Sequence, residues 1–159
     1  MIAIISSTIY PSTLRTRDGV RSWNTPESRL EQTQKTIQSL VSCGISDIYL
    51  ADNSGKNWLN ATDALLKPAK VYVFNQHQFH NKGISELYLL LNILEFISSN
   101  EPIVKISGRY FINKNPFQDA IDYDIQAKIY RHGLFQSSMS TRCYWVKDKA
   151  IYENFLEDV

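Results

Sequence analysis

The chain has 159 residues, 43% of them hydrophobic and 21% charged, with a formal net charge of +1, the profile of one soluble globular domain with an ordinary core. That charge excludes a global attraction to nucleic acid or anionic lipid, so any anion has to be held by a local cluster. No run approaches the roughly eighteen apolar residues of a membrane span, and Cys43 and Cys143 match no zinc or redox spacing and read as a reduced, cytosolic pair.

Ile2 to Ile5 form a continuous apolar, β-branched run, which predicts a strand buried on both faces. No basic region accompanies it, so MIAIISSTIY does not read as a secretion signal. The polar, arginine-bearing TLRTRDGVRSWN follows. Thr25-Pro26 then supplies an N-cap and a first-turn proline for a helix. Leu30, Thr33, Ile37, Leu40 and Val41 keep one face of that helix as far as Gly44. Asp47 to Ala51 predicts a second strand, closed by the turn cluster Asp52-Asn53-Ser54-Gly55. A weak helix over Trp58 to Leu66 leads to a third strand, Lys70 to Phe74. From Ile84 to Ser98 the sequence is apolar nearly all round, which predicts a deeply packed helix. Pro102 introduces a fourth strand, Ile103 to Ile106. Tyr123 to Tyr130 and Cys143 to Val146 offer a fifth and a sixth, and KDKAIYENFLEDV a closing helix. Strand and helix alternate, so the expected fold is a single α/β domain with a mainly parallel sheet flanked by helices.

Ligands of open parallel sheets bind beyond the carboxyl ends of the strands. Three polar segments fall at that edge. After the first strand come Ser6, Ser7 and Thr8, with Arg15, Arg17 and Arg21 further on. These offer hydroxyls and guanidinium forks to a phosphate-bearing ligand, or they form a solvated basic loop. After the second strand come Asp52, Asn53 and Ser54. Asp52 suits a ribose or a base N–H, or an Asx turn that holds the loop. After the fourth come Ser107, Gly108 and Arg109. There a glycine admits close backbone approach and an arginine neutralises an anion, or the pair is a bulge with a salt-bridged arginine. Lys105, Ser107 and Arg109 alternate onto one face, which is either a site or a solvent-exposed sheet face. Asn81-Lys82-Gly83 opens the apolar helix with free N–H groups, for an anion or for capping alone. His77 and His80 read as surface or partly buried histidines. No GxxxxGK[ST], GxGxxG or GxSxG motif is present.

The ordered combination IAIISSTIY, SRLEQTQKTIQSLVSCGISDIYLADNSG, NKGISELYLLLNIL and PIVKISGRYFI, with STRCYW further on, resembles a family of glycosyltransferases. That family has a nucleotide-diphospho-sugar transferase (GT-A, Rossmann-like) fold and occurs with bacterial surface-polysaccharide and lipopolysaccharide genes. The resemblance implies a nucleotide-sugar donor lying against Ser6, Ser7 and Thr8, with Asp52 at the uracil or ribose. It implies a donor half over residues 1–112 and an acceptor half over 113–159. The acceptor would be a glycan or lipid-linked glycan, handled in the cytoplasm or peripherally at the inner face of the membrane. Where such enzymes carry a metal-binding Asp-x-Asp, this chain has Ser107-Gly108-Arg109, so no metal cofactor is expected. Arg109 would neutralise the leaving diphosphate, with Arg142 as a second contact. Candidate bases are His132, Asp124 and Asp148. The expected activity is metal-independent glycosyl transfer; the alternatives are a non-catalytic nucleotide- or glycan-binding module, or another sugar-nucleotide enzyme.

Overall fold

Ile2, Ala3, Ile4 and Ile5 are each fully buried, as a β-branched run must be in the middle of a sheet covered on both faces. In the computed structural model, which describes residues 1–11, 24–55, 63–74, 79, 81–114, 117, 123–131 and 137–158, this run is β1 (Ile2–Ser7). It is followed by α1 (Pro26–Ser42), β2 (Asp47–Asp52), β3 (Lys70–Val73), α2 (Lys82–Leu94), β4 (Ile103–Ser107), β5 (Ile125–Arg131), β6 (Ser137–Val146) and α3 (Lys149–Glu157). Asp63–Leu66 is a single 3-10 turn; the part of the predicted helix from Trp58 to Thr62 lies outside the described residues.

The strands form one six-stranded sheet in the order β3-β2-β1-β4-β6-β5. β1 pairs in parallel with β2 and β4, and β2 with β3. β6 runs antiparallel between β4 and β5. Alternating side chains divide the core into two layers. Ile2 and Ile4 share one with Leu89, Leu90, Ile93 and Leu94 of α2 and Tyr152 and Leu156 of α3. Ala3 and Ile5 share the other with Ile37 and Leu40 of α1. The architecture is an α/β domain with a mostly parallel sheet and helices on both faces.

Two expectations need correction. The apolar helix starts at Lys82 and ends at Leu94, and it buries one stripe, Ser85, Leu89, Leu90, Ile93 and Leu94. Ile84 and Tyr88 are 40% and 44% exposed, because a helix lying on one face of a sheet offers it only one side. The sixth strand begins at Ser137, not Cys143. Its polar first half gave no strand period.

Asp52, at the end of β2, is fully buried. Its Oδ2 accepts from the Ile9 N–H at 3.0 Å and its Oδ1 from the Ser54 N–H at 2.8 Å. Ser54 Oγ in turn accepts from the Tyr10 N–H at 2.8 Å. The aspartate therefore fastens the exit of β1 to the exit of β2. Both of its oxygens serve the backbone, so it does not present itself to a ribose. Burial pushes its carboxyl above the usual aspartate range, against the hydroxyl and N–H bonds from Ser54, Ile9 and Ser7 that pull it down.

A carboxyl raised in the folded state favours folding most below the unfolded value, near 3.8, and loses that contribution as pH rises through the folded value. Denaturation of wild type and Asp52→Asn between pH 7 and 4 should thus move the stability difference towards wild type as pH falls; the opposite slope would mean hydrogen bonding outweighs burial. A second expectation concerns α2, whose N-cap Asn81 accepts from the Gly83 N–H at 2.8 Å. Asn81→Ala should cost about 1 kcal/mol, seen as a lowered Tm, while Asn81→Ser should retain most of it.

Candidate functional site

The strand order reverses between β1 and β4, and at such a switch point the loops leaving neighbouring strands part in opposite directions and leave a crevice. A cleft of about 380 Å³ lies there. One wall is the exit of β1, Ser6, Ser7, Thr8 and Pro11, with Asn53 beside it; another is the exit of β4, Ser107 to Tyr110. Arg29 and Thr33 come from α1, Lys82, Ser85, Glu86 and Leu89 from the first turns of α2, and Thr141 and Arg142 from β6.

The floor is built on Lys105. This residue is 0% exposed, which excludes the reading of the 105–109 face as a solvated sheet surface. Its Nζ donates to Glu86 Oε1 at 2.6 Å and to the Thr141 carbonyl, and lies 5.5 Å from the Tyr144 ring centroid. Ser6 Oγ donates to the same Glu86 oxygen at 2.6 Å. A buried ammonium is tolerated only when paired and hydrogen-bonded, and here the pairing fixes Glu86 at the edge of the cleft.

The wall after β4 is held by hydroxyls on one face of α1. Thr33 Oγ1 donates to the Gly108 carbonyl at 3.2 Å, Thr36 Oγ1 to the Tyr110 carbonyl at 2.7 Å, and Ser39 Oγ accepts from the Ile112 N–H at 3.2 Å. Helix and segment approach so closely that a Cβ on Gly108 would lie 3.1 Å from Thr33 Oγ1 and 3.3 Å from Ile5 Cγ2. Close packing is thus the use of this glycine. β4 ends at Ser107, and Gly108-Arg109 is a turn in which the Arg109 and Tyr110 N–H groups both donate to the Ser107 carbonyl, at 2.7 and 3.1 Å. The turn, not strand alternation, sets the direction of Arg109.

Around this frame the cleft is cationic. Arg109, Lys82 and Arg142 are exposed along it, with the Arg142 guanidinium 5.2 Å from the Tyr110 ring centroid. Arg29 is nearly buried at 8% exposure and donates to the Thr8 carbonyl. Such an arrangement binds and neutralises phosphate oxygens, arginine in particular through its planar fork. A divalent cation fits it poorly, since magnesium and calcium take six or more oxygens, carboxylates foremost. Glu86 is the one carboxylate lining the cleft among the described residues, and one of its oxygens is already shared by Lys105 and Ser6.

Of the sequence candidates, Ser6, Ser7, Thr8, Asn53, Lys82, Ser107, Gly108, Arg109 and Arg142 come together around the cleft. Asp52, Ser54 and Lys105 support it from behind, and Gly83 belongs to the cap of α2. Asp148 needs correction as a base. It caps α3, accepting from the Ile151 N–H at 2.9 Å. Because β6 is antiparallel, Val146 pairs with Ile103, which puts Asp148 at the opposite edge, roughly 13 Å or more from Ser107. Asp124 lies at that far edge too, with Lys147. Arg15, Arg17, Arg21, His77, His80 and His132 lie outside the described residues. Arg29, Thr33, Ser85, Glu86, Tyr110 and Thr141 were not anticipated at the site.

No known family model matches the sequence, and no curated protein does so significantly. Solved structures do. HddC from Yersinia pseudotuberculosis, complexed with GMP-PN, superposes with a TM-score of 0.61 at 13% identity, over 97% of this chain and 80% of its own. The galactosyltransferase LgtC, in complex with donor and acceptor sugar analogs, gives 0.55 at 9% identity over 96% of this chain. An active-site mutant of LgtC gives 0.56 at 9%, also over 96%. The chain spans about three-fifths of LgtC, 59% and 60% in the two structures. The chain therefore shares the fold of these structures, an α/β domain with a mostly parallel sheet flanked by helices.

Proposed function

We propose that the protein is a glycosyltransferase that moves a sugar from a nucleotide-sugar donor to a glycan or lipid-linked glycan acceptor, with side-chain cations taking the place of a metal on the diphosphate. The observation that carries this reading is Arg109 in the turn that ends β4, facing a cleft that also receives Lys82 and Arg142. In the transfer, the acceptor oxygen forms a bond to the anomeric carbon as the bond from that carbon to the diphosphate oxygen breaks. The electron pair leaves with the nucleoside diphosphate, and the acceptor proton passes to a base or to solvent. The growing charge on the leaving group falls among Arg109, Arg142 and Lys82, which line the same cleft. Ser6, Ser7, Thr8, Asn53 and Ser107 orient the donor.

The resemblance to surface-polysaccharide transferases supports a glycan acceptor and a cytoplasmic site of action, peripheral to the inner face of the membrane. Among the described residues no helix is long and apolar enough to cross a membrane.

A second reading is a non-catalytic nucleotide- or glycan-binding module, or another sugar-nucleotide enzyme. It is favoured by the position of Asp124 and Asp148 at the edge away from the cleft, which leaves both without a part in acid–base chemistry there.

Thermal shift against a panel of nucleotides and nucleotide sugars tests donor binding. At least one nucleotide sugar should stabilise the protein, and the shift should persist in EDTA. No stabilisation anywhere in the panel would sink the donor site, and a shift abolished by EDTA would sink the metal-free version. Arg109→Ala should weaken nucleoside diphosphate binding roughly tenfold or more and slow donor hydrolysis in parallel. Unchanged turnover in that variant would remove Arg109 from the mechanism, and no donor hydrolysis by wild type would favour the binding-module reading.

A further inference from the structure

Glu86 is the anomaly of the cleft. It is an anionic side chain among Arg29, Lys82, Arg109 and Arg142, and a ligand made only of phosphate would be repelled by it. Removing it looks simple for a cation-lined anion site, yet the fold holds it in place. Lys105 is buried beneath it at 1% side-chain exposure, while Glu86 keeps 30% of its own side chain exposed. Both donors, Lys105 Nζ and Ser6 Oγ, reach the same oxygen, Oε1, each at 2.6 Å. Oε2 takes no partner among the described residues.

A carboxylate fixed in this way accepts hydrogen bonds and donates none. Its complement on a ligand is a neutral donor, and the cations around it demand that the same ligand be anionic elsewhere. A free nucleotide meets the second demand and carries neutral donors only on its ribose and base; a sugar joined to the diphosphate adds a further set of hydroxyls on the other side of the phosphates. We propose that Glu86, oriented by Lys105 and Ser6, accepts a hydrogen bond from a hydroxyl of the sugar in the donor and thereby separates the nucleotide sugar from the free nucleoside diphosphate. This rests on the nucleotide-sugar reading of the cleft. Lys105 acts through Glu86 and touches no ligand, so it is a positioning residue.

The relevant quantity is a ratio of affinities, that of the nucleotide sugar over that of its own nucleoside diphosphate, measured by titration calorimetry with the panel member that binds best. In wild type the sugar conjugate should bind more tightly than the diphosphate, by roughly 10- to 100-fold for one hydrogen bond to a charged group. Glu86→Ala should bring the ratio close to one. That variant also strands the buried ammonium, so it is paired with Lys105→Met/Glu86→Ala, which removes both charges. The double variant should fold, bind the diphosphate and still lack the sugar preference.

A preference retained in the double variant would overturn the proposal, because Glu86 would then serve only to compensate Lys105. So would equal binding of conjugate and diphosphate by wild type, with the nucleotide reading left intact. If no nucleotide of any kind binds, the nucleotide reading itself falls and this inference with it.

Discussion

A lysine ammonium taken wholly out of water in a sheet interior has to be answered where it stands. Lys105 is answered by Glu86 from α2, the Thr141 carbonyl from β6 and the Tyr144 ring, also from β6. One charge thereby ties together three elements remote in sequence. Removing a single partner from such a pair costs about 3–5 kcal/mol, mostly through the charge left behind. A well-packed apolar residue at the same position would give a stability similar to that of the intact pair. Stability alone therefore does not account for the pair; what it adds is the fixed place of a carboxylate at the edge of a cationic cleft.

The opposite wall is fixed by other means. Thr33, Thr36 and Ser39 lie three residues apart on α1 and meet the chain at Gly108, Tyr110 and Ile112, so helix and strand exit are laced by hydroxyl bonds at a matching period. Asp52 performs the same service for the exit of β1, through two backbone N–H groups. The loops at the ligand edge are thus anchored by polar side chains that point inward. The cations that face the cleft are free of that duty at Lys82 and Arg109, while Arg29 divides its role between the cleft and the Thr8 carbonyl.

Much of the sheet was legible because buried parallel strands leave short apolar runs, Ile2 to Ile5 in β1, Ile48 to Ala51 in β2 and, broken only by Lys105, Ile103 to Ile106 in β4. The N-cap at Thr25 was readable for a similar local reason. The first half of β6, Ser137 to Arg142, was not, since polar residues in an edge-proximal strand carry no apolar period. At the site, the small and basic residues after β1 and β4 were visible from their place at strand ends. Glu86 was not, because its meaning lies in a partner nineteen positions away. The signal that would have found it is a matched pair: one acid in an apolar helix and one lysine in an apolar strand, neither tolerable alone. Asp52 read from its position either as a ligand contact or as an Asx turn residue holding the loop, and the Ser54 and Ile9 N–H groups it satisfies bear out the second.

The antiparallel course of β6 has a consequence for how the chain acquires its site. Residues 1–112 contain both strand exits at the switch point, yet Thr141 and Arg142 and the carbonyl that receives Lys105 come from the returning strand. Lys105 lies on the side of β4 that β6 covers, so its bond to the Thr141 carbonyl and its contact with the Tyr144 ring exist only with β6 in place. The cleft is therefore completed by a long-range pairing, Ile103 to Ile106 against Cys143 to Val146.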